Sequence, residues 1–168
     1  RLPTADCRLP TAMRNLCLTL ARMCLAGWVG GAVLFVVTSV REQVAPDFDQ
    51  ATRAALALVR FPSYYLFGFA LIAAALPLAF AGMPSDRFGR RRWLCCGSIA
   101  AALIVMTIDY ASVYLPLAEM MKQPPGLRPA TFRAYHAASV YINIVHVGFG
   151  FAAAGIACWP VPIRGESL

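Results

Sequence analysis

Apolar residues fall into four long runs, each bounded by charge. Residues 23–40 lie between Arg22 and Arg41, and a snorkelling Arg22 lets the run start near residue 16. Residues 61–85 lie between Arg60 and Asp86, residues 93–118 are broken only by Asp109, and residues 134–163 hold only His136 and His146 as ionisable groups. A bilayer core about 30 Å thick needs roughly 20 apolar helical residues. Helices in the core of a soluble protein would keep a polar face at 3.6-residue spacing, and residues 66–81 have none. The pattern predicts an all-α, four-helix transmembrane bundle with crossings near 16–40, 61–83, 93–115 and 132–158. They sit in a membrane domain over 16–163, flanked by an N-terminal extension (1–15) and a tail (164–168).

Composition agrees. The chain is 60% hydrophobic and 14% charged, against about 25% charged in average soluble domains. The net charge of +7 is carried by arginines clustered between apolar runs rather than along one face, which points to the lipid bilayer as partner and away from nucleic acid. Arg1, Arg8, Arg14, Arg22, Arg87, Arg90, Arg91, Arg92 and Arg164 would share one side, and Arg41, Arg53, Arg60, Lys122, Arg128 and Arg133 the other. Retention of positive charge inside predicts two cytoplasmic termini, in the inner membrane if the source is bacterial. Trp93 and Trp159 then fall at the inner interface, and Tyr64, Tyr65, Tyr114 and Tyr135 at the outer one. Arg1–Ala5 recurs as Arg8–Ala12, so Met13 is expected to be the true start, followed by an uncleaved first helix.

Local signals refine the picture. In the first outer loop Asp47 can cap a short surface helix sharing a face of Phe48, Thr52, Ala55, Leu56 and Val59, with a solvated loop as the alternative. Pro124, Pro125, Gly126 and Pro129 break the third loop before Thr131, a candidate cap for the fourth crossing. Close packing in lipid needs small residues. The candidates are Gly27 with Gly31, then Gly97, Ala101 and Ala102, then Gly150 with Ala154 and Gly148 with Ala152. They support a compact bundle and leave homo-oligomerisation open.

Candidate chemistry concentrates on two crossings. At about 100° per residue, His136, Ser139, Asn143 and His146 lie within roughly 80° of one another. Asp109 would sit about 9 Å inside the outer end of the third crossing. The reading is an outward-facing pocket of Asp109, Tyr110, His136, Ser139 and Asn143 for a proton, cation or small polar solute. Its alternative is ligand-free interhelical hydrogen bonding, worth about 0.6–2 kcal/mol per contact. His136 and His146, about 15 Å apart on one helix, cannot share a metal. Cys17, Cys24, Cys95, Cys96 and Cys158 are small buried hydrophobes or soft ligands for Cu(I). No metal, cofactor or catalytic motif is readable, so the expectation is a non-enzymatic protein.

Two strings resemble known families. Gly82, Asp86, Arg87, Gly89, Arg90, Arg91 and Arg92 match the GxxxDRxGRR signature of major-facilitator transporters, where the acid and arginines hold an inward gate; a tight turn with retained positive charge explains the same residues. More of the chain, about 25–158, resembles the transmembrane protein 205 family, a four-helix membrane domain of unknown function numbered 4149. The likeness rests on Trp28, Gly30, Gly31 and Phe35, on Phe61-Pro62-Ser63-Tyr64-Tyr65, on Pro116, and on Phe132, Tyr135, His136, Ser139 and Asn143. It implies a small multipass membrane protein of unsettled biochemistry and offers no counterpart for His146. The expected function is binding or passage of a small solute or ion. A structural or assembly role is the alternative, and a transporter fragment a more distant one.

Overall fold

A computed structural model describes residues 9–160. The repeat over residues 1–8 and the tail with Arg164 lie outside the described residues, as do the side chains of Asp86 and Arg87. The chain forms α1 (Thr11–Val44), α2 (Gln50–Gly82), α3 (Ser85–Ile108), a π-helical segment (Asp109–Tyr114), α4 (Leu115–Met121), a short 3-10 turn (Pro125–Leu127) and α5 (Phe132–Cys158). Four continuous stretches, Thr11–Val44, Gln50–Gly82, Phe88–Met121 and Phe132–Cys158, are long and apolar enough to cross a bilayer. The protein is an all-α, four-helix bundle with the composition of an integral membrane protein. α1 runs along α2 and α3 along α5, while α2–α3 and α1–α5 contacts close the ring.

The seam of the bundle follows one rule. Buried positions step by three and four residues, the pattern that keeps one stripe facing the neighbours in near-parallel packing. On α1 they are Leu18, Ala21, Leu25, Trp28 and Ala32; on α2, Tyr65, Gly68, Ile72, Ala75, Ala79 and Gly82. The third crossing continues it through Cys95, Ile99, Ala102, Met106, Asp109 and Val113. On α5 the stripe is Ser139, His146, Gly150, Ala153 and Ala157, with half-buried Asn143 in register. Asp109, Asn143 and His146 are therefore seam residues.

Several expectations need correction. The first outer loop holds no separate surface helix, and Asp47 is not a cap. Asp49 is the N-cap of α2, its Oδ1 accepting from the Thr52 N–H at 2.7 Å, and the helix runs unbroken from Gln50 through Pro62. Nothing between Gln50 and Phe61 breaks a helix, so the amphipathic stretch fuses with the crossing. Hydrogen bonds from the Thr52 side chain and backbone hold the Asp49 carboxyl below its usual 3.8. A depressed folded value stabilises above 3.8 and loses that contribution as pH falls through the folded value. The thermal midpoint of Asp49→Ala should therefore lie below that of the wild type at neutral pH and converge with it on acidification.

Pro116 does not close the third crossing. Proline lacks an N–H, and its ring clashes with the carbonyl four residues back in regular α-helix. The chain widens instead into the π-helical segment, with the Leu115 N–H bonded to the Tyr110 carbonyl, and the helix resumes to Met121. Asp109 thus lies twelve residues from the helix end, about 18 Å along the axis rather than about 9 Å. Thr131 occupies the N-cap position of α5, but its side chain makes no capping bond.

Arginines organise the opposite end. Arg22 Nε donates to the Ala157 carbonyl at 2.9 Å and Arg91 Nε to the Ile156 carbonyl at 2.8 Å, with Arg91 Nη2 reaching the Trp159 carbonyl. These carbonyls end α5 and have no partner within it, so cations from two other helices satisfy them. α3 kinks near its start at Gly89, at φ 38° and ψ −119°. This backbone conformation strains any side chain, and Gly89→Ala should cost about 1–3 kcal/mol in an unfolding titration. Trp93 and Trp159 are exposed at this end, as interfacial residues would be; Tyr64, Tyr65 and Tyr114 are instead buried in the core.

Candidate functional site

The polar centre is built around Asp109 and Tyr65. The Tyr65 hydroxyl donates to Asp109 Oδ2 at 2.7 Å, with tyrosine and acid 1% and 0% exposed. Both occupy seam positions, Tyr65 on α2 and Asp109 at the start of the π-helical segment. One residue before it on α2, the Tyr64 hydroxyl donates to Asn143 Oδ1 on α5 at 3.2 Å. Adjacent tyrosines thus address two different neighbouring helices.

Trp28 on α1 fills the space between these bonds. Its indole passes over Gly68 of α2 and against Gly150 of α5, where an added Cβ would lie 2.6 and 3.0 Å from the ring. It stacks on His146 at 5.9 Å between centroids and lies 5.1 Å from Tyr64. Phe35, Phe61, Tyr110 and Tyr114 extend the aromatic wall: Phe35 stacks on Tyr64 at 4.3 Å, and Tyr114 lies 5.0 Å from Tyr65. On the far side of Phe35, Arg60 bonds Glu42 and the Thr38 hydroxyl, with its guanidinium 5.1 Å from the Phe35 ring.

Four buried polar atoms in this centre lack a hydrogen-bond partner: Asp109 Oδ1, Trp28 Nε1 and both ring nitrogens of His146. Leaving a buried donor or acceptor unmade costs about 1–3 kcal/mol each, and more for a charged group. Such unsatisfied groups in native structures have a reason: stored strain, a redox or catalytic role, or a water or ion at the site. No arginine or lysine pairs with Asp109 among the described residues. An ionised carboxylate here needs a cation to compensate it, and a protonated one needs an acceptor for its O–H.

The residues expected from sequence divide. Asp109, Ser139 and Asn143 lie on the buried seam, and Tyr110 lines the wall beside Tyr65 at 5.1 Å. His136 is not brought to the centre: it is exposed and stacks on Phe132 of its own helix at 6.3 Å. His146, assigned no role from sequence, takes the inward place three residues beyond Asn143. Trp28, named only as a family-motif residue, and Tyr64 and Tyr65, expected also at the outer interface, supply the packing and the hydrogen bonds. The signal was present for two of them: Trp28 and Tyr65 continue the three-and-four stepping of their helices, and Tyr64 lies beside it.

The cysteines are scattered. Cys95 is buried with its thiol 3.7 Å from the Ala153 carbonyl, Cys96 is buried, Cys17 and Cys24 are half-buried, and Cys158 is exposed. Among the described residues no three His, Cys, Asp or Glu side chains converge on a metal position. Comparison of the chain with family models, with curated proteins and with solved structures gives no match in any of the three.

Proposed function

We propose that this multipass membrane protein binds a proton or small cation at Asp109, with Tyr65 holding one carboxylate oxygen and leaving the other for the ligand. The supporting observation is the fully buried Tyr65–Asp109 bond, whose acid carries an unpartnered Oδ1 in the middle of an apolar bundle. An acid inside lipid costs at least about 2.5 kcal/mol on insertion scales, which is a reason to expect use rather than ornament. Trp28, Tyr64, Asn143 and His146 complete the polar centre.

In this reading the arginine-rich end and both termini face the cytoplasm, the membrane being the inner one if the source is bacterial. The likeness to the transmembrane protein 205 family supplies the frame. Of its motif residues, Trp28, Phe61, Tyr64, Tyr65, Ser139 and Asn143 fall on the seam or in the aromatic wall. Pro62 lies within α2, Pro116 shapes the π-helical segment, and Phe132, Tyr135 and His136 begin α5. The arginine loop reads as a turn and anchor, because the helix kinks at Gly89 and Arg91 holds the end of α5.

The test is infrared difference spectroscopy and thermal unfolding of the reconstituted protein across pH and with sodium or potassium. A carboxyl band that responds to the proton or cation, and a matching shift of the thermal midpoint, should be present in the wild type, lost in Asp109→Asn and altered in Tyr65→Phe. A second reading, a structural membrane protein without ligand, is favoured by the dense packing around Trp28. It requires Asp109→Asn to leave both responses unchanged, and that result would overturn the binding reading.

A further inference from the structure

An apolar groove runs between α2 and α3 on the outer surface of the bundle, at the arginine-rich end. Leu76, Pro77, Phe80, Trp93, Gly97 and Ala100 line it. From Trp93 to Ala100 it extends seven residues along α3, about 10 Å, into a leaflet whose hydrocarbon is about 15 Å deep. Gly97 leaves it open, since an added Cβ there would meet nothing within 4 Å.

At the mouth lies Arg92. Its guanidinium sits 3.6 Å from the Phe80 ring centroid and 5.8 Å from that of Trp93, two residues of the groove itself. Its Nε is buried without a hydrogen-bond partner, and Arg90 lies exposed two residues away. A planar guanidinium with fixed donors matches the oxygens of a phosphate. Directly below it is hydrocarbon-compatible surface, and beside it an exposed tryptophan of the interfacial type.

We propose that this groove is a binding site for an anionic phospholipid, with one acyl chain against Phe80, Gly97 and Ala100 and the headgroup phosphate on Arg92. The juxtaposition supplies the charge complementarity, and basic pockets between membrane helices hold anionic headgroups in this way. It requires only that the chain lie in a bilayer and is independent of the reading of Asp109. A second apolar groove on the other side of α3, lined by Leu94, Ala152, Gly155 and Trp159, provides the contrast. Its arginine, Arg91, is already bound to the carbonyls that end α5.

The experiment measures lipid binding to the full chain in detergent micelles, by native mass spectrometry and thermal shift. The probes are phosphatidylglycerol, phosphatidylcholine with the same acyl chains, and soluble glycerol phosphate. Phosphatidylglycerol should bind more tightly than phosphatidylcholine. Arg92→Gln should weaken phosphatidylglycerol about fivefold, equivalent to ~1 kcal/mol, and phosphatidylcholine less, because the choline cation offsets the charge of its phosphate. Gly97→Leu, whose Cβ meets nothing within 4 Å and whose longer side chain enters the groove, should weaken both lipids, while Gly155→Leu in the contrasting groove should weaken neither. Equal affinity of the wild type for the two lipids overturns the proposal. So does indifference to Arg92→Gln or to Gly97→Leu, and so does glycerol phosphate competing as well as the whole lipid, which would leave the groove without a role.

Discussion

Trp28→Ala should destabilise the bundle by about 3 kcal/mol, the low end of the roughly 3–5 kcal/mol seen when large aromatic side chains are truncated in soluble cores. The low end applies because the usual loss has two parts, and lipid removes one. Hydrocarbon solvates a membrane protein as well as its own interior does, so transfer from water contributes little. What remains is the loss of dispersion contacts and the hole left behind. That hole is large here, for the indole is fully buried and touches α2 and α5 at once, across Gly68 and Gly150. A double-mutant cycle makes the claim specific. Gly68→Leu alone drives a side chain into the ring, whereas in the Trp28→Ala background the same leucine enters vacated space. The two substitutions should therefore couple by about 0.5–3 kcal/mol in the compensating direction. Reversible unfolding in mixed micelles measures all three variants, and additive effects would refute the wedge.

The gross architecture was legible because lipid imposes a simple demand. Each crossing must satisfy its own backbone and present apolar side chains, so the runs at 16–40, 61–83, 93–115 and 132–158 stand out with no packing information. Extents were harder to read. α2 starts at Gln50 because helix propensity continues through residues that composition alone marks as a loop, with Asp49 rather than Asp47 taking the cap. The third crossing passes Pro116 because a π-helical turn accommodates a ring that would otherwise end the helix. A proline inside an apolar run has two outcomes, and only the neighbouring helices decide between them.

The polar centre was half legible for a related reason. Depth and residue type singled out Asp109, Ser139 and Asn143, since an acid in lipid must face protein. The tyrosines were misread. Tyrosine near the end of a crossing ordinarily marks the interface, but Tyr64 and Tyr65 begin an inward stripe because α2 starts eleven residues before the expected crossing at 61 on one side and the third crossing extends to Met121 on the other. His136 and His146 exchanged importance through position along the helix: His136 continues the three-and-four stepping through Ser139, Asn143, His146 and Gly150, yet it lies in the first turns of α5, where it is exposed. Angular position on a helix does not say how far along it the neighbouring helices reach.

Glycines give the second large effect, and here the expected pairs fail as guides. At Gly82 an added Cβ would lie 2.5 Å from the backbone nitrogen of Leu18 and 2.8 Å from its Cα. Backbone cannot rotate away as a side chain can, so α1 and α2 must separate. At Gly31, a member of the expected Gly27–Gly31 pair, the nearest atom is the far edge of the Phe67 ring at 2.6 Å, which can swing into lipid. Gly97 and Gly148, also expected at contacts, meet nothing within 4 Å. Gly82→Leu should therefore cost about 3 kcal/mol or more, the upper part of the overpacking range. Gly31→Ala should cost about 1 kcal/mol, and Gly148→Ala should be neutral or slightly stabilising, because glycine within a helix is itself unfavourable by about 1 kcal/mol relative to alanine. The order rests on what each Cβ meets rather than on the GxxxG spacing. A Gly31→Ala loss exceeding that of Gly82→Leu, by unfolding in the same micelles, would place the closest helix approach at the Gly27–Gly31 pair instead.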